Sequence, residues 1–177
     1  MFGKISIIGC GLIGSSILRA TQEKKLATKI SVYDKSNKVI EYLKKNFTAD
    51  ICLNVSETAK DADLIIISAP LSSYKEILLS IKSTLKEGSI LTDTGSAKKE
   101  VNKIVNNLGF KNISWIASHP IAGTEYSGPA AGFSSLFKNR WCILSADKQV
   151  AKDKIENLEK FWSKLGSKVK LLSLIHI

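Results

Sequence analysis

Short runs of apolar residues alternate along the chain with longer segments in which apolar residues recur every three or four positions. The short runs predict β-strands, and the longer segments predict amphipathic helices. Strands are expected at residues 4–8, 29–34, 49–53, 64–68, 89–92, 113–117, 141–145 and 168–172. Helices are expected at residues 12–25, 39–47, 56–60, 74–85, 98–108 and 152–165. The branched apolar run at 64–68 is typical of a parallel strand buried on both faces.

This alternation predicts an α/β fold. Right-handed crossovers would join the strands into a doubly wound, mostly parallel sheet with helices on both faces, a Rossmann-type domain. Pro120 is expected to interrupt the strand at 113–117, because proline lacks the N–H group that a sheet ladder needs. The length of 177 residues suits one such domain with a substantial core.

The motif that most restricts the function is G-C-G-L-I-G at residues 9–14, between the first predicted strand and the first predicted helix. The first glycine would form the tight turn, the second would let a pyrophosphate approach the backbone, and the third would allow close helix–sheet packing. The N–H groups at the helix N-terminus would bind the phosphates. The alternative is a tightly packed glycine turn without a ligand. The predicted dinucleotide-binding residues are Gly9, Gly11, Leu12, Ile13 and Gly14.

Asp34 ends the second predicted strand at the distance where a carboxylate binds the adenosine ribose hydroxyls. Because its charge would repel a 2′-phosphate, Asp34 favours NAD over NADP, although Lys35 and Lys38 would soften that repulsion. The buried fourth strand ends in Ser68, Ala69 and Pro70. These three residues are expected to border the same cofactor, since ligands bind beyond the carboxyl ends of parallel strands. Their alternative role is only to terminate the strand.

Two further polar segments follow predicted strands, so the fold would bring both to the sheet edge that carries the glycine motif. They are D-T-G-S-A-K at residues 93–98 and S-H-P-I-A-G-T-E at residues 118–125. His119, one of two histidines, is a candidate functional residue, with a structural histidine as the alternative. Ser96 is a candidate helix N-cap, which is compatible with a catalytic role. Glu125 on its own would be interpreted as a solvated loop residue.

Composition and charge exclude several classes of protein. Cys10, Cys52 and Cys142 form neither a disulfide framework nor a metal-ligand spacing, so no metal is expected and a reducing, cytoplasmic location is favoured. The net charge of +10 comes from scattered lysines, with only two arginines, whereas nucleic-acid readers favour clustered arginine. No apolar run approaches the roughly 20 residues of a membrane helix. Neither nucleic acid nor a membrane is therefore expected as a partner.

Taken together, the motifs resemble the prephenate/arogenate dehydrogenases of tyrosine biosynthesis. The resemblance rests on the glycine loop, the Asp-x-Gly-Ser-x-Lys turn and, above all, His-Pro-Ile-Ala-Gly-Thr-Glu-x-Ser-Gly at residues 119–128, and it covers nearly the whole chain. It implies an NAD(P)-dependent oxidative decarboxylation of a cyclohexadienol, for which Asp34 favours NAD. In that family the residue matching His119 takes the proton from the ring 4-hydroxyl, and the residue matching Ser96 hydrogen-bonds that hydroxyl and orients the histidine. The implied substrate site also includes Thr124 and Glu125, in the pocket or at its entrance.

The resemblance further implies a small-molecule substrate, prephenate, with arogenate left open. Family members continue into a helical region that dimerises and supplies an arginine for the substrate carboxylate. Residues 1–172 are therefore expected to form the dinucleotide-binding domain with part of the substrate site, truncated before a helical dimerisation domain. Residues 173–177 are interpreted as a non-native tail or the start of that domain, with no role for His176. The remaining alternatives are a β-hydroxyacid dehydrogenase of the 6-phosphogluconate type and a non-catalytic NAD-binding module.

Overall fold

The computed structural model describes residues 2–172, so the predicted tail at 173–177, with His176, lies outside the described residues. Within that range the strands are β1 (Phe2–Ile8), β2 (Ala27–Tyr33), β3 (Asp50–Ile51), β4 (Leu64–Ile67), β5 (Ile90–Asp93), β6 (Ser114–Pro120), β7 (Trp141–Ala146) and β8 (Lys168–Leu171). The α-helices are α1 (Leu12–Glu23), α2 (Asn37–Asn46), α3 (Val55–Ala59), α4 (Tyr74–Ile81), α5 (Lys98–Leu108) and α6 (Lys152–Leu165). Single 3-10 turns lie at Leu71–Ser73 and Pro129–Ala131.

The strands form one sheet in the order β3-β2-β1-β4-β5-β6-β7-β8, with β3 and β8 outermost. The pairings from β3 to β6 are all parallel, which confirms the predicted doubly wound, mostly parallel sheet. From β1 the chain first builds outward to β3, and it then returns to add β4 on the other side of β1. In sheets of this kind a crevice for ligands opens at such a reversal of strand order, beyond the carboxyl ends of the strands.

The prediction that β6 ends before Pro120 was wrong, because β6 continues to Pro120 and pairs antiparallel with β7. The next residue, Ile121, donates its N–H to the carbonyl oxygen of Trp141 at 2.7 Å. Since successive residues of an antiparallel strand alternate in hydrogen-bond direction, the nitrogen of Pro120 points away from β7. On that side the pairing between β5 and β6 has already ended at Trp115. The missing N–H therefore interrupts no ladder.

Helices cover both faces of the sheet, and β4 shows how each face is packed. Its four residues, Leu64–Ile67, are 0% exposed, as the branched apolar run predicts. Alternate side chains enter two separate apolar clusters, one containing Ile17 of α1 and Trp162 of α6, the other containing Leu78 of α4 and Val101 of α5. Each such side chain contributes about 1.5–3 kcal/mol through burial. Among residues 2–172, no helix is both long and apolar enough to cross a membrane.

Candidate functional site

A cavity of about 720 Å³ lies beyond the carboxyl ends of β1, β2, β4, β5 and β6. The turns that follow these strands form its walls, so segments distant in the sequence meet there. The predicted cofactor and catalytic residues that line the cavity are Gly9, Gly11, Leu12, Ile13, Asp34, Ser68, Ala69, Pro70, Ser96 and His119.

The three glycines of the loop before α1 have different surroundings. Gly9 has a φ of +91°, and a Cβ there would lie 2.5 Å from the carbonyl oxygen of Ser68. A Cβ on Gly14 would lie 2.0 Å from the carbonyl oxygen of Gly9, so close packing of α1 against the loop requires a glycine. A Cβ on Gly11 would meet no protein atom within 4 Å. The fold therefore requires glycine at positions 9 and 14, and Gly14 does not line the cavity. Gly11, in contrast, borders open space.

The N-terminus of α1 faces this open space. Gly11 caps the helix without a side-chain hydrogen bond, and the first turn contains no acidic residue. The first N–H groups of a helix have no partner within it and carry a partial positive charge. A backbone arranged in this way suits a phosphate or pyrophosphate group.

Asp34 lies beside the glycine loop, directly after β2. One carboxylate oxygen accepts the N–H of Cys10 at 2.8 Å, and the other accepts the N–H of Ser36 at 2.9 Å. Each carboxylate oxygen can accept a second hydrogen bond, so Asp34 retains acceptor capacity toward the cavity. The charged neighbour on the cavity wall is the exposed Lys35.

A buried ion pair lies at the base of the turn that carries Ser96, and sequence reasoning missed its place in the site. Lys98 Nζ is 2.6 Å from both carboxylate oxygens of Asp93, and their side chains are 4% and 0% exposed. Asp93 also accepts the N–H of Gly95 at 3.1 Å and the hydroxyl of Tyr74 at 3.3 Å. Scattered lysines are usually solvated, and only the i, i+5 spacing within D-T-G-S-A-K hinted at this pair.

His119 projects from the end of β6 into the cavity wall and is half-buried. The preceding residue, Ser118, donates its backbone N–H to Asp93 at 3.2 Å. Its hydroxyl accepts the indole N–H of Trp162 at 3.2 Å. Burial lowers the pKa of His119 below its usual 6.5, the positive charge of Lys98 lowers it further, and Asp93 opposes them. The imidazole is therefore neutral at pH 7 and able to accept a proton.

Ser96 is exposed on the wall of the same cavity. The suggestion that it caps α5 was wrong: the N-cap is Ala97, and no side chain caps the helix. The carbonyl oxygen of Ser96 instead accepts the N–H of Lys98 at 2.9 Å, which tightens the turn. The side-chain hydroxyl is not used as a helix cap.

Thr124 and Glu125, the other predicted substrate residues, are exposed and do not line the cavity. They lie in the loop at residues 121–128, where the hydroxyl of Thr124 accepts the N–H of Tyr126 at 3.2 Å. Beyond the loop and the 3-10 turn that follows it, the chain is held to α1, since Phe133 donates its N–H to the Ser16 hydroxyl at 3.1 Å. Their contact with a substrate stays a prediction.

The cavity wall also includes residues that sequence reasoning did not single out. Part of this wall comes from α4 and the turn before it. Because this helix follows the strand end at Ser68, the topology could have indicated its position. The lining residues outside the two polar segments include Tyr33, Val55, Ser73, Glu76, Ile77 and Ser80, and the polar segments at 93–98 and 118–125 also contribute Thr94, Gly95, Pro120 and Ala122. Across residues 2–172 there is no group of three or more His, Cys, Asp or Glu side chains suited to a metal ion.

Comparison with known proteins identifies the family. A family model described as the nucleotide-binding domain of prephenate dehydrogenase matches residues 17–171. Cyclohexadienyl dehydrogenase from Zymomonas mobilis is 33% identical over 177 residues, which cover 99% of this chain and 60% of the relative. Prephenate dehydrogenase from Lactococcus lactis is 35% identical over 159 residues, which cover 88% of this chain and 44% of the relative.

Comparison with solved structures agrees with the family that the sequence matches indicate. The crystal structure of prephenate dehydrogenase from Aquifex aeolicus, in complex with hydroxyphenyl propionate and NAD+, superposes with a TM-score of 0.84 at 25% identity. The match covers 98% of this chain and 60% of that one. The chain thus spans 60% or less of the length of each of these three relatives. The chain belongs to the prephenate dehydrogenase family and comprises its nucleotide-binding domain.

Proposed function

We propose that this chain is the cofactor-binding part of a prephenate dehydrogenase, which converts prephenate to 4-hydroxyphenylpyruvate by NAD-dependent oxidative decarboxylation. The observation that carries the proposal is that His119, Ser96 and the glycine loop line one cavity in a chain of this family. An acid–base group and a dinucleotide cradle in one cavity suit the oxidation of an alcohol, in which a proton leaves the hydroxyl oxygen and a hydride leaves the carbon that bears it. Arogenate, which carries the same ring, is the alternative substrate.

The residues around the cavity fit NAD. The backbone at Gly11, Leu12 and Ile13 would hold the pyrophosphate, and Asp34 would accept hydrogen bonds from the adenosine ribose. The negative charge of Asp34 favours NAD over NADP, and the strand end at residues 68–70 borders the same space. When bound, NAD+ supplies the hydride acceptor of the reaction.

The neutral imidazole of His119 would take the proton of the ring 4-hydroxyl as the hydride leaves C4 for the cofactor. Ser96 would hydrogen-bond that hydroxyl and help orient His119. The resulting ring ketone loses its carboxylate as CO2, and the electron pair of the broken C–C bond makes the ring aromatic. The phenolate oxygen then recovers the proton from His119, so no net proton is released. A positioned general base of this kind contributes about 10²–10⁴-fold in rate.

The substrate side of the site and the assembly are also proposals. Thr124 and Glu125, on the exposed loop that follows the strand bearing His119, would contact the substrate at the entrance. We infer a homodimer joined through a helical domain in the part of the relatives' length that this chain does not match. A cytoplasmic location is supported by three buried cysteines, none of which forms a disulfide.

The test uses the protein encoded by the complete parent gene. NADH formation is followed with prephenate and with arogenate, for the wild type and for His119→Asn. Turnover with either substrate that collapses in His119→Asn is the expected result, and the faster substrate identifies the natural one. Clear NAD binding without turnover of either substrate would reject the proposal and leave a hydroxyacid dehydrogenase or a non-catalytic NAD-binding module.

A further inference from the structure

The buried pair of Asp93 and Lys98 lies beneath the candidate site without lining its cavity. A buried ion pair gives little net stability over a well-packed apolar pair, so stability alone is a poor explanation for it. We propose that Asp93 and Lys98 are positioning residues that fix the turn bearing Ser96 and the strand end bearing His119 and that set the electric field at the imidazole. This inference rests on the proposed function of His119 and Ser96.

Backbone hydrogen bonds to the Asp93 carboxylate support the positioning role. One oxygen of Asp93 accepts the N–H of Gly95, the residue before Ser96, and the other accepts the N–H of Ser118, the residue before His119. A single carboxylate therefore holds the backbone directly adjacent to both candidate catalytic residues. Lys98 bonds both oxygens at 2.6 Å and fixes the orientation of the carboxylate.

Tyr74 on α4 adds a third fixed point to this carboxylate. Its hydroxyl lies 3.3 Å from Asp93 and 3.5 Å from the carbonyl oxygen of Ile67. Burial, together with the charge of Asp93, raises the pKa of Tyr74, so the phenol keeps its proton as a hydrogen-bond donor. The carboxylate is thus bonded directly to β6, α4 and α5, and through Tyr74 it is linked to the end of β4, so it has little freedom to move.

The charges near His119 support the role of the pair in setting the electric field. The charges that act on His119 are Lys98 on α5 and Asp93 on β5, and the cation has the larger effect. From β7 the facing residue is the uncharged Ile143. The pair as a whole thus favours the neutral imidazole, the form that accepts a proton. Other titratable groups of the surrounding elements are Tyr74 and Cys142, which burial keeps protonated, and the cavity-lining Asp34, Lys35 and Glu76.

The test is a titration of His119 in the full protein without substrate. Its ring Cε1–H resonance is followed by NMR against pH and is assigned by its loss in His119→Gln. The variants are Lys98→Met, Asp93→Asn and the double substitution, which leaves no unpaired buried charge. Lys86→Met is the matched control, because it breaks the exposed Lys86–Asp63 pair at the opposite end of the sheet.

Lys98→Met should raise the pKa of His119, Asp93→Asn should lower it, and Lys86→Met should leave it unchanged. A purely structural role does not produce shifts of opposite sign. In the double variant the pKa should rise by less than in Lys98→Met, and this variant carries the test if a single variant fails to fold. No shift in the folded variants, or the same sign in both single variants, overturns the proposal.

Kinetics separate this inference from the proposed function. In the full enzyme the double variant should lose about 100-fold in kcat, as expected for a displaced catalytic group, with the KM for NAD unchanged. Full turnover in the double variant overturns the positioning role. If the wild type turns over neither prephenate nor arogenate, the proposed function fails and the positioning role fails with it, whereas opposite shifts of the His119 titration would still establish the field.

Discussion

The carboxylate of Asp34 accepts the backbone N–H of Cys10 at 2.8 Å, so the residue proposed to select the cofactor also holds the glycine loop. Asp34→Asn removes the charge that would repel a 2′-phosphate, while its amide oxygen can still accept the N–H of Cys10. We expect the ratio of NADP to NAD affinity to rise about tenfold, equivalent to about 1.4 kcal/mol.

Calorimetric titration of both dinucleotides measures this ratio. Asp50→Asn, at an exposed carboxylate on β3, is the control and should change neither affinity. An unchanged ratio in Asp34→Asn would show that Asp34 does not discriminate between the cofactors.

Alanine substitutions in the glycine loop should separate binding from folding. Gly11→Ala places a methyl group in open space at a φ of −68°, so thermal stability should stay near that of the wild type while NAD affinity falls at least tenfold. Gly14→Ala forces a contact at 2.0 Å and should lower stability by several kcal/mol, as overpacking does. Thermal melts beside NAD titrations check both, and a stable Gly14→Ala with normal binding would contradict this account.

The pH dependence of turnover should report the titration of the half-buried imidazole of His119. Burial and the charge of Lys98 lower the pKa of His119, so the active, unprotonated form should already predominate at pH 6.5. We expect kcat/KM for prephenate to fall only at more acidic pH, with an apparent pKa below 6.5. His119→Asn should reduce kcat by about 10²–10⁴-fold and remove this limb while leaving NAD affinity unchanged. An acidic limb above pH 7 would point to a different group.

The free energy of unfolding should fall more when one residue of the buried ion pair is substituted than when both are. Lys98→Met leaves Asp93 charged and unpaired in the interior, which costs about 3–5 kcal/mol. Adding Asp93→Asn removes that charge, so the double variant should recover most of the loss. Urea denaturation of the three proteins measures this, and a double variant less stable than Lys98→Met would contradict it.

Asp63 should make stability depend on pH in the acid range. Burial alone would raise the pKa of Asp63, but hydrogen bonds from Lys86 and from the N–H of Lys4 outweigh it and lower the pKa. A lowered pKa in the folded state means that the contribution is fully present above the ordinary value of about 3.8 and is lost as pH falls through the folded value.

Asp63→Asn should therefore cost about 1 kcal/mol at pH 7, as expected for a largely exposed pair, and almost nothing at an acidic pH well below the folded pKa of Asp63. Urea denaturation at both pH values checks this. A cost that is the same at both would assign it to packing rather than to charge.

The periodicity of the sequence predicts most of the fold because each strand is a short apolar run and each helix an amphipathic one. The helix at residues 98–108 has its predicted bounds, since Gly109 ends it in a left-handed conformation. The end of β6 was missed because the effect of a proline depends on which neighbour its nitrogen faces. The place of Lys98 was missed because a single sequence does not reveal when a lysine finds a buried carboxylate.

The order of the strands also has a consequence for self-association. An exposed sheet edge is a template on which other chains can add strands and aggregate. One edge of this sheet, β3, is only two residues long, and the other, β8, carries Lys168 and Lys170. A short edge and a charged edge are both features that oppose strand addition. Strand addition, the first step of fibril-like growth, is thus disfavoured at both edges of the sheet that residues 2–172 form.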